Sequence, residues 1–344
     1  MTPKIFITGA TGYIGGDTLH ALYNKHPEYT YTALARTSAK GKTITDAFPN
    51  VRIAIGDLDN AQVLEKEAAE ADIVIHTADA SDNAPAARAI AKGLASTHTP
   101  QSPGYWLHTG GAGILCWEDM RPDARLGTHS SKQYNDWTDV AALTSLPDDA
   151  FHRDVDKLVL EKGADGSDKI RTAILCPPTI YGRGRGPSNA RSRQAYELAK
   201  LVLEKEFVPV IGEGKARWNN VHVADLADVF VLLVERGVAK DNNEELWGEK
   251  GYYLVENGEH EWKALAQGMG RKAKELGFVK SELKEQQLEK DEAVEVAGFE
   301  AVSWGLNSRG KSERARRVLG WEPSRPSIEE EIEGILRDEK ERLG

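Results

Sequence analysis

Only two cysteines occur in 344 residues, Cys116 and Cys176, and neither sits in a Cys-x-x-Cys or Cys/His cluster. This excludes a disulfide framework and a structural zinc, so no metal is expected, and it fits a reducing compartment, the cytoplasm. No apolar run approaches the length that spans a bilayer. Basic residues are outnumbered, 44 Lys and Arg against 54 Asp and Glu, for a net charge of -10. That balance argues against nucleic acid as a general partner. Internal repeats and low-complexity tracts are also lacking. A strand pattern begins at once, from Lys4, so a secretory signal is not expected.

What is present reads as an α/β protein. Hydrophobic residues make up 40% and charged residues 28% of the chain, enough for a sizeable core and too little bias for disorder. Short apolar runs at 5–8, 29–35, 51–55, 73–76, 105–109 and 172–176 alternate with helical patterns at 12–25, 61–71, 84–96 and 154–162. Such alternation predicts a doubly wound parallel sheet of the Rossmann type. Beyond Pro177 the regularity fades. Residues 182–187 read as a loop, 194–205 and 225–236 as helices, 219–223 as extended and 252–256 as a last sheet strand. Residues 271–297, dense in Lys and Glu, read as a solvated helical face. The division expected is a Rossmann domain over 1–182, completed by about 217–256, with a smaller substrate lobe from 183–216 and 257–344.

The strongest local signal is TGATGYIG at residues 8–15. It follows a strand and opens a helix, the context a dinucleotide fingerprint requires. Gly9 permits the tight turn, Gly12 lets the backbone approach a pyrophosphate, and Gly15 lets helix and strand pack closely. The helix N-terminus offers N–H groups and partial positive charge to the anion, and Thr11, Tyr13 and Ile14 lie in the same turn. A carboxylate is missing after the second strand, where NAD-specific sites bind the ribose 2′-hydroxyl. Arg36 stands there instead, with Lys40 and Lys42 close behind, which points to the 2′-phosphate of NADP(H) over NAD. Asp57 and Leu58 follow the third strand, and Asp57 suits either the adenine amino group or a helix N-cap. Thr77 and Ala78 follow the fourth strand and complete the expected contacts on this side.

Together these residues resemble the extended short-chain dehydrogenase/reductase family, the group of sugar-nucleotide epimerases, dehydratases and dihydroflavonol-type reductases. The resemblance includes CPPTIYG at 176–182, similar to the family's stretch beside the nicotinamide and implicating Pro177 and Thr179. It also includes NVHVADLA at 220–227 and LGWEP at 319–323. It implies a substrate cleft between the Rossmann domain and the C-terminal lobe, and a small-molecule substrate. Family members often dimerise, and the alanine-rich stretch at 84–95 permits a homodimer.

The family's catalytic pattern is what this sequence lacks. The resemblance implies a Ser or Thr after the fifth strand and a Tyr-x-x-x-Lys on the next helix. The Tyr moves the proton and the Lys holds the nicotinamide ribose. Alignment puts Gly110 in the serine position, with Thr109 one residue early, and puts Arg153 in the tyrosine position, four residues before Lys157. Guanidinium stays protonated and cannot donate a proton as tyrosine does, so Arg153 is expected to stabilise negative charge or to form a salt bridge. The long segment 114–150 supplies Tyr134 as a proton donor, and His108, His129, His152 and His222 are others. Three functions remain open: an NADP(H)-dependent oxidoreductase acting on a carbonyl, hydroxyl or imine; a non-catalytic dinucleotide sensor like the NmrA regulators; and a redox-neutral epimerase or dehydratase holding NAD.

Overall fold

The computed structural model describes residues 2–121 and 123–344. In chain order the strands are β1 (Lys4–Thr8), β2 (Thr30–Ala35), β3 (Arg52–Ile55), β4 (Ile73–His76), β5 (Gly104–Thr109), β6 (Tyr134–Asn135), β7 (Ile170–Cys176), β8 (Thr179–Tyr181), β9 (Val208–Ile211), β10 (Arg217–His222), β11 (Tyr252–Leu254), β12 (Glu259–Glu261), β13 (Glu285–Leu288) and β14 (Gly310–Lys311). The helices are α1 (Tyr13–Lys25), α2 (Ser38–Ala47), α3 (Ala61–Glu70), α4 (Ala84–Thr97), α5 (Val140–Thr144), α6 (Arg153–Gly163), α7 (Gln194–Lys205), α8 (Val223–Val238), α9 (Trp262–Glu275), α10 (Lys290–Ser303) and α11 (Ile328–Leu343).

Seven strands form one parallel sheet in the order β11-β7-β5-β4-β1-β2-β3. β4 and β5 are buried along their whole length, as parallel strands covered on both faces must be, which is why they read as apolar runs without alternation. Leu19, Leu22, Phe230 and Leu233 of α1 and α8 cover one face. Leu64, Ile90, Leu94, Val155 and Val159 of α3, α4 and α6 cover the other. A third core gathers Tyr196, Leu198, Trp262, Met269, Ile332 and Leu336 from α7, α9 and α11. Strand order reverses between β1 and β4, and the register aligns Thr8 with His76 and His76 with His108. The loops leaving these strands therefore open at one crevice, the place where doubly wound sheets bind ligands.

Two helices lack a strong sequence signal. α2 carries Gly41 and β-branched residues, yet Thr37 caps it by accepting from Lys40 N, and Gly41 packs flat on Ile53. α11 is opened by a Ser327/Glu330 capping box. Residues 271–297 do not form one helical face. α9 ends at Glu275 before Gly277 at φ +70°, β13 pairs with β9, and α10 begins only at Lys290. High charge suits a solvated edge strand as well as a solvated helix, so charge alone misleads in this stretch.

Candidate functional site

A cleft of about 820 Å³ opens at the carboxyl ends of β1, β2, β4 and β5. Gly9, Thr11, Gly12, Tyr13, Ile14 and Gly15 form its floor. Gly9 has φ +79°, and a Cβ at Gly12 would stand 3.0 Å from the Gly9 carbonyl oxygen. No side chain caps α1 at Gly12, and its first turn holds no acidic residue. Those N–H groups are thus left for an anion. The turn is braced from β4: Thr77 Oγ1 donates to the Thr8 carbonyl at 2.7 Å, and Thr8 Oγ1 lies 2.7 Å from His76 Nδ1. On the outer side, Tyr13 donates its hydroxyl to the Gly182 carbonyl, and Arg185 of the 182–187 loop pairs with the buried Asp17.

Arg36, Lys40, Asp57 and Leu58 line one end of the cleft. Arg36 is exposed, and among the described residues neither Arg36 nor Lys40 makes an ion pair, whereas Lys42 is held by Asp46 at 2.6 Å. Asp57 does not cap α3. Asn60 does, accepting from Val63 N at 3.2 Å, while Asp57 accepts from Asp59 N in the preceding turn. An anion-ready helix start, a glycine floor and two cations unpaired among the described residues fit the phosphates of a nicotinamide dinucleotide.

The other end is lined by Thr77, Ala78, Asp79, Asp82, Thr109, residues 110–113, Phe151, His152 and Pro177. Thr109 is buried, with an Oγ1 that lacks a partner among the described residues. Thr179 is set back from the cleft wall, donating to Gln194 Oε1 at 2.9 Å; Gln194 itself lines the cleft.

Three expected catalytic residues lie elsewhere. Arg153 is buried away from the cleft, with Nε donating to the Leu146 carbonyl at 3.0 Å and a terminal nitrogen to that of Thr144 at 2.8 Å. Its charge is spent on closing the inserted segment. Lys157 lies at the surface, 2.9 Å from Asp148. Tyr134 is buried in β6 beside β14, its hydroxyl accepting from Trp117 Nε1 at 2.9 Å. The expectation that Arg153 and Lys157 face the nicotinamide end is therefore corrected. The helix turns about 100° per residue, so a shift of one position takes both out of the cleft.

His152 occupies the place that the alignment assigned to Arg153. It precedes α6 in a left-handed conformation, φ +67°, with its ring on Phe151 and Nδ1 2.6 Å from Asp82 Oδ1. That hydrogen bond holds the Asp82 carboxyl below the usual carboxylate range. A Cβ at Gly111 or Gly113 would come 3.0 or 3.3 Å from His152 Nε2. One turn on, Asp156 is fully buried and accepts from Tyr252 at 2.7 Å, and burial pushes its carboxyl up to about 6. Of the other histidines, His108 is buried in β5 with burial depressing its basicity, His129 is exposed away from the cleft, and His222 caps α8 through Ala224 N.

The far wall carries Cys116, Met120, Trp218, Phe299, Glu300 and Leu306. Burial pushes the Cys116 thiol well up, so it is not a thiolate nucleophile. Among the described residues no cluster of three or more His, Cys, Asp or Glu side chains is placed to hold a metal, and no helix is long and apolar enough to cross a membrane.

An NAD(P)H-binding family model matches residues 9–101, and the NAD dependent epimerase/dehydratase family model matches 153–246. An oxidase, ucsJ, of Acremonium sp is 39% identical over 353 aligned positions, covering 100% of this chain and 99% of that protein. The chain belongs to the extended short-chain dehydrogenase/reductase family. Solved structures share the fold of this dehydrogenase/reductase at low identity. The dTDP-glucose 4,6-dehydratase of Bacillus anthracis, in complex with NAD, superposes with TM-score 0.66 at 14% identity, covering 99% of this chain and 97% of that one. The UDP-glucose 4-epimerase of Thermotoga maritima, with UDP-glucose, gives 0.64 at 15% identity, covering 99% and 100%.

In this short-chain dehydrogenase/reductase, His152 lines the cleft at the start of α6, while Asp156, four residues on, is buried behind it on Tyr252. Sequence reasoning weighed His152 only as one histidine among several and missed Asp82. The signal available was the run of glycines at 110, 111 and 113, which clears space for a ring, but nothing in the sequence names the ring.

Proposed function

We propose that this chain is an NADP(H)-dependent oxidoreductase acting on the hydroxyl, carbonyl or imine of a small molecule with an apolar body. The observation that carries the cofactor choice is that Arg36 and Lys40, without ion pairs among the described residues, line the same cleft as the Gly9–Gly15 turn. The buried, unpartnered Thr109 Oγ1 supports a polar contact with the reacting group, and Met120, Trp218, Phe299 and Leu306 support an apolar body beyond it. When bound, the dinucleotide supplies hydride chemistry; the protein supplies orientation and electrostatics. The turn of α1 holds the pyrophosphate, Arg36 and Lys40 hold the 2′-phosphate, and Pro177 and Ala78 bound the nicotinamide end.

A second reading, a dinucleotide sensor without turnover, is favoured by the absence of the family's tyrosine and lysine from the cleft. Screening NADPH oxidation over aldehydes, ketones and imines, and NADP⁺ reduction over alcohols and amines, separates the two. Turnover with any substrate is expected. Tight NADPH binding with no turnover across the whole panel supports the sensor instead.

A further inference from the structure

We propose that His152 is the proton-exchanging group of this cleft, its Nδ1 held by Asp82 and its Nε2 presented to the substrate. The inference rests on the dinucleotide reading above and assigns the acid/base role which that reading leaves open.

Three independent features single out this imidazole. The first is its backbone. A left-handed conformation at a non-glycine residue is uncommon and strained, and such strain is kept where the surroundings hold it in place. The second is the space made for it. Gly111 and Gly113 lie against the ring so closely that a side chain at either would meet Nε2. The third is the clamp. Asp82 comes from the loop between β4 and α4, 70 positions away in sequence, and meets Nδ1 at 2.6 Å. Fixing Nδ1–H on a carboxylate leaves Nε2 as the acceptor, the second-partner logic by which enzymes set a histidine's tautomer. Among the described residues Nε2 has no hydrogen-bond partner.

Of the other titratable groups at this end of the cleft, Asp79 is an exposed carboxylate without a side-chain partner among the described residues, and the rest are committed. Tyr13 donates to Gly182 and is held well above its ordinary titration range by burial. Cys116 is a buried thiol. Glu300 pairs with Arg193, and Arg191 with Glu339. His152 is the only imidazole on the wall among the described residues.

In alcohol oxidation the substrate O–H bond breaks and its proton forms the Nε2–H bond. The electron pair of the neighbouring C–H bond leaves as hydride to the oxidised nicotinamide dinucleotide, which is the oxidant. The imidazolium is balanced by the Asp82 carboxylate, whose side chain is half-exposed, and returns its proton to solvent. Carbonyl reduction is the reverse. Thr109 lines the same end of the cleft, and Asp82 is a positioning residue that acts through His152.

The test needs no knowledge of the substrate. The oxidised nicotinamide ring is positively charged and the reduced ring is neutral, so an imidazolium beside it disfavours NADP⁺. Affinities of the full chain for NADPH and NADP⁺ are measured by calorimetry from about pH 5.5 to 8.5. The titratable groups acting on or acted on by His152 are Asp82 from the β4–α4 loop, His108 from β5 and Asp156 from α6. Burial depresses the basicity of His108, while burial raises the Asp156 carboxyl to about 6, so Asp156 requires a control.

In the wild type, NADP⁺ affinity relative to NADPH is expected to rise about three- to tenfold with pH. The rise should vanish in His152→Asn, a residue that tolerates the left-handed backbone, and survive in Asp156→Asn. In Asp82→Asn the rise should weaken, because the carboxylate that holds Nδ1 and balances the imidazolium is gone. That variant also serves if His152→Asn does not fold. A pH-independent ratio in the wild type, or an unchanged rise in His152→Asn, overturns the assignment of His152. Failure of the wild type to bind either dinucleotide overturns the dinucleotide reading, and this inference with it.

Discussion

Arg36 stands exposed at the mouth of the cleft with no carboxylate to leave, so a phosphate gains a charge-assisted bond without breaking another. Arg36→Ala is expected to weaken NADPH about 10- to 150-fold, the equivalent of about 1.5–3 kcal/mol, and to leave NADH near its wild-type affinity. Parallel titrations with both cofactors check this, and equal loss for the two would show that Arg36 does not read the 2′-phosphate. Lys157 is the opposite case. Its partner Asp148 is exposed, and such pairs contribute little. Lys157→Ala is expected to leave both the melting temperature and NADPH affinity unchanged, whereas a lysine holding the ribose would cost affinity.

At the scale of elements, the turn into α1 is the most constrained part of the site. Gly12→Val is expected to abolish dinucleotide binding while far-UV circular dichroism stays native, because the new side chain would crowd the Gly9 carbonyl and fill the pyrophosphate's path. The start of α6 behaves differently. Arg153→Ala would strip the Thr144 and Leu146 carbonyls of their buried donors, a loss of about 1–3 kcal/mol in denaturant unfolding, with NADPH affinity retained. These two elements also show what the sequence made legible. The α1 turn is a contiguous motif whose glycines answer to one backbone geometry, so it is readable without neighbours. The His152 site joins the β4–α4 loop, the glycines after β5 and the residue before α6. Its parts are distant in sequence, and the decisive shift is one residue in a helix start, below what an alignment by pattern resolves. Element boundaries followed the same division: buried parallel strands were plain, while α2 and the charged stretch around β13 were not, because tertiary packing decides them.

Across the whole molecule, buried carboxyls couple stability to pH. Asp156 is fully buried with its carboxyl raised to about 6, so the folded state holds this proton more tightly than the unfolded chain does. Its contribution is fully present below the unfolded pKa near 3.8 and is lost as pH rises through about 6. Asp156→Asn is expected to flatten the fall in stability over that window, by roughly 1–3 kcal/mol; denaturant midpoints between pH 4 and 7 check it. The central claim is that a Rossmann-type sheet with an uncapped α1 turn, Arg36 and Lys40 builds one cleft for NADP(H). Calorimetric titration of the purified full chain with NADPH and with NADH tests it most directly. Saturable binding of one dinucleotide per chain, at least tenfold tighter for NADPH, is the expected result; tighter binding of NADH, or no binding of either, would contradict it.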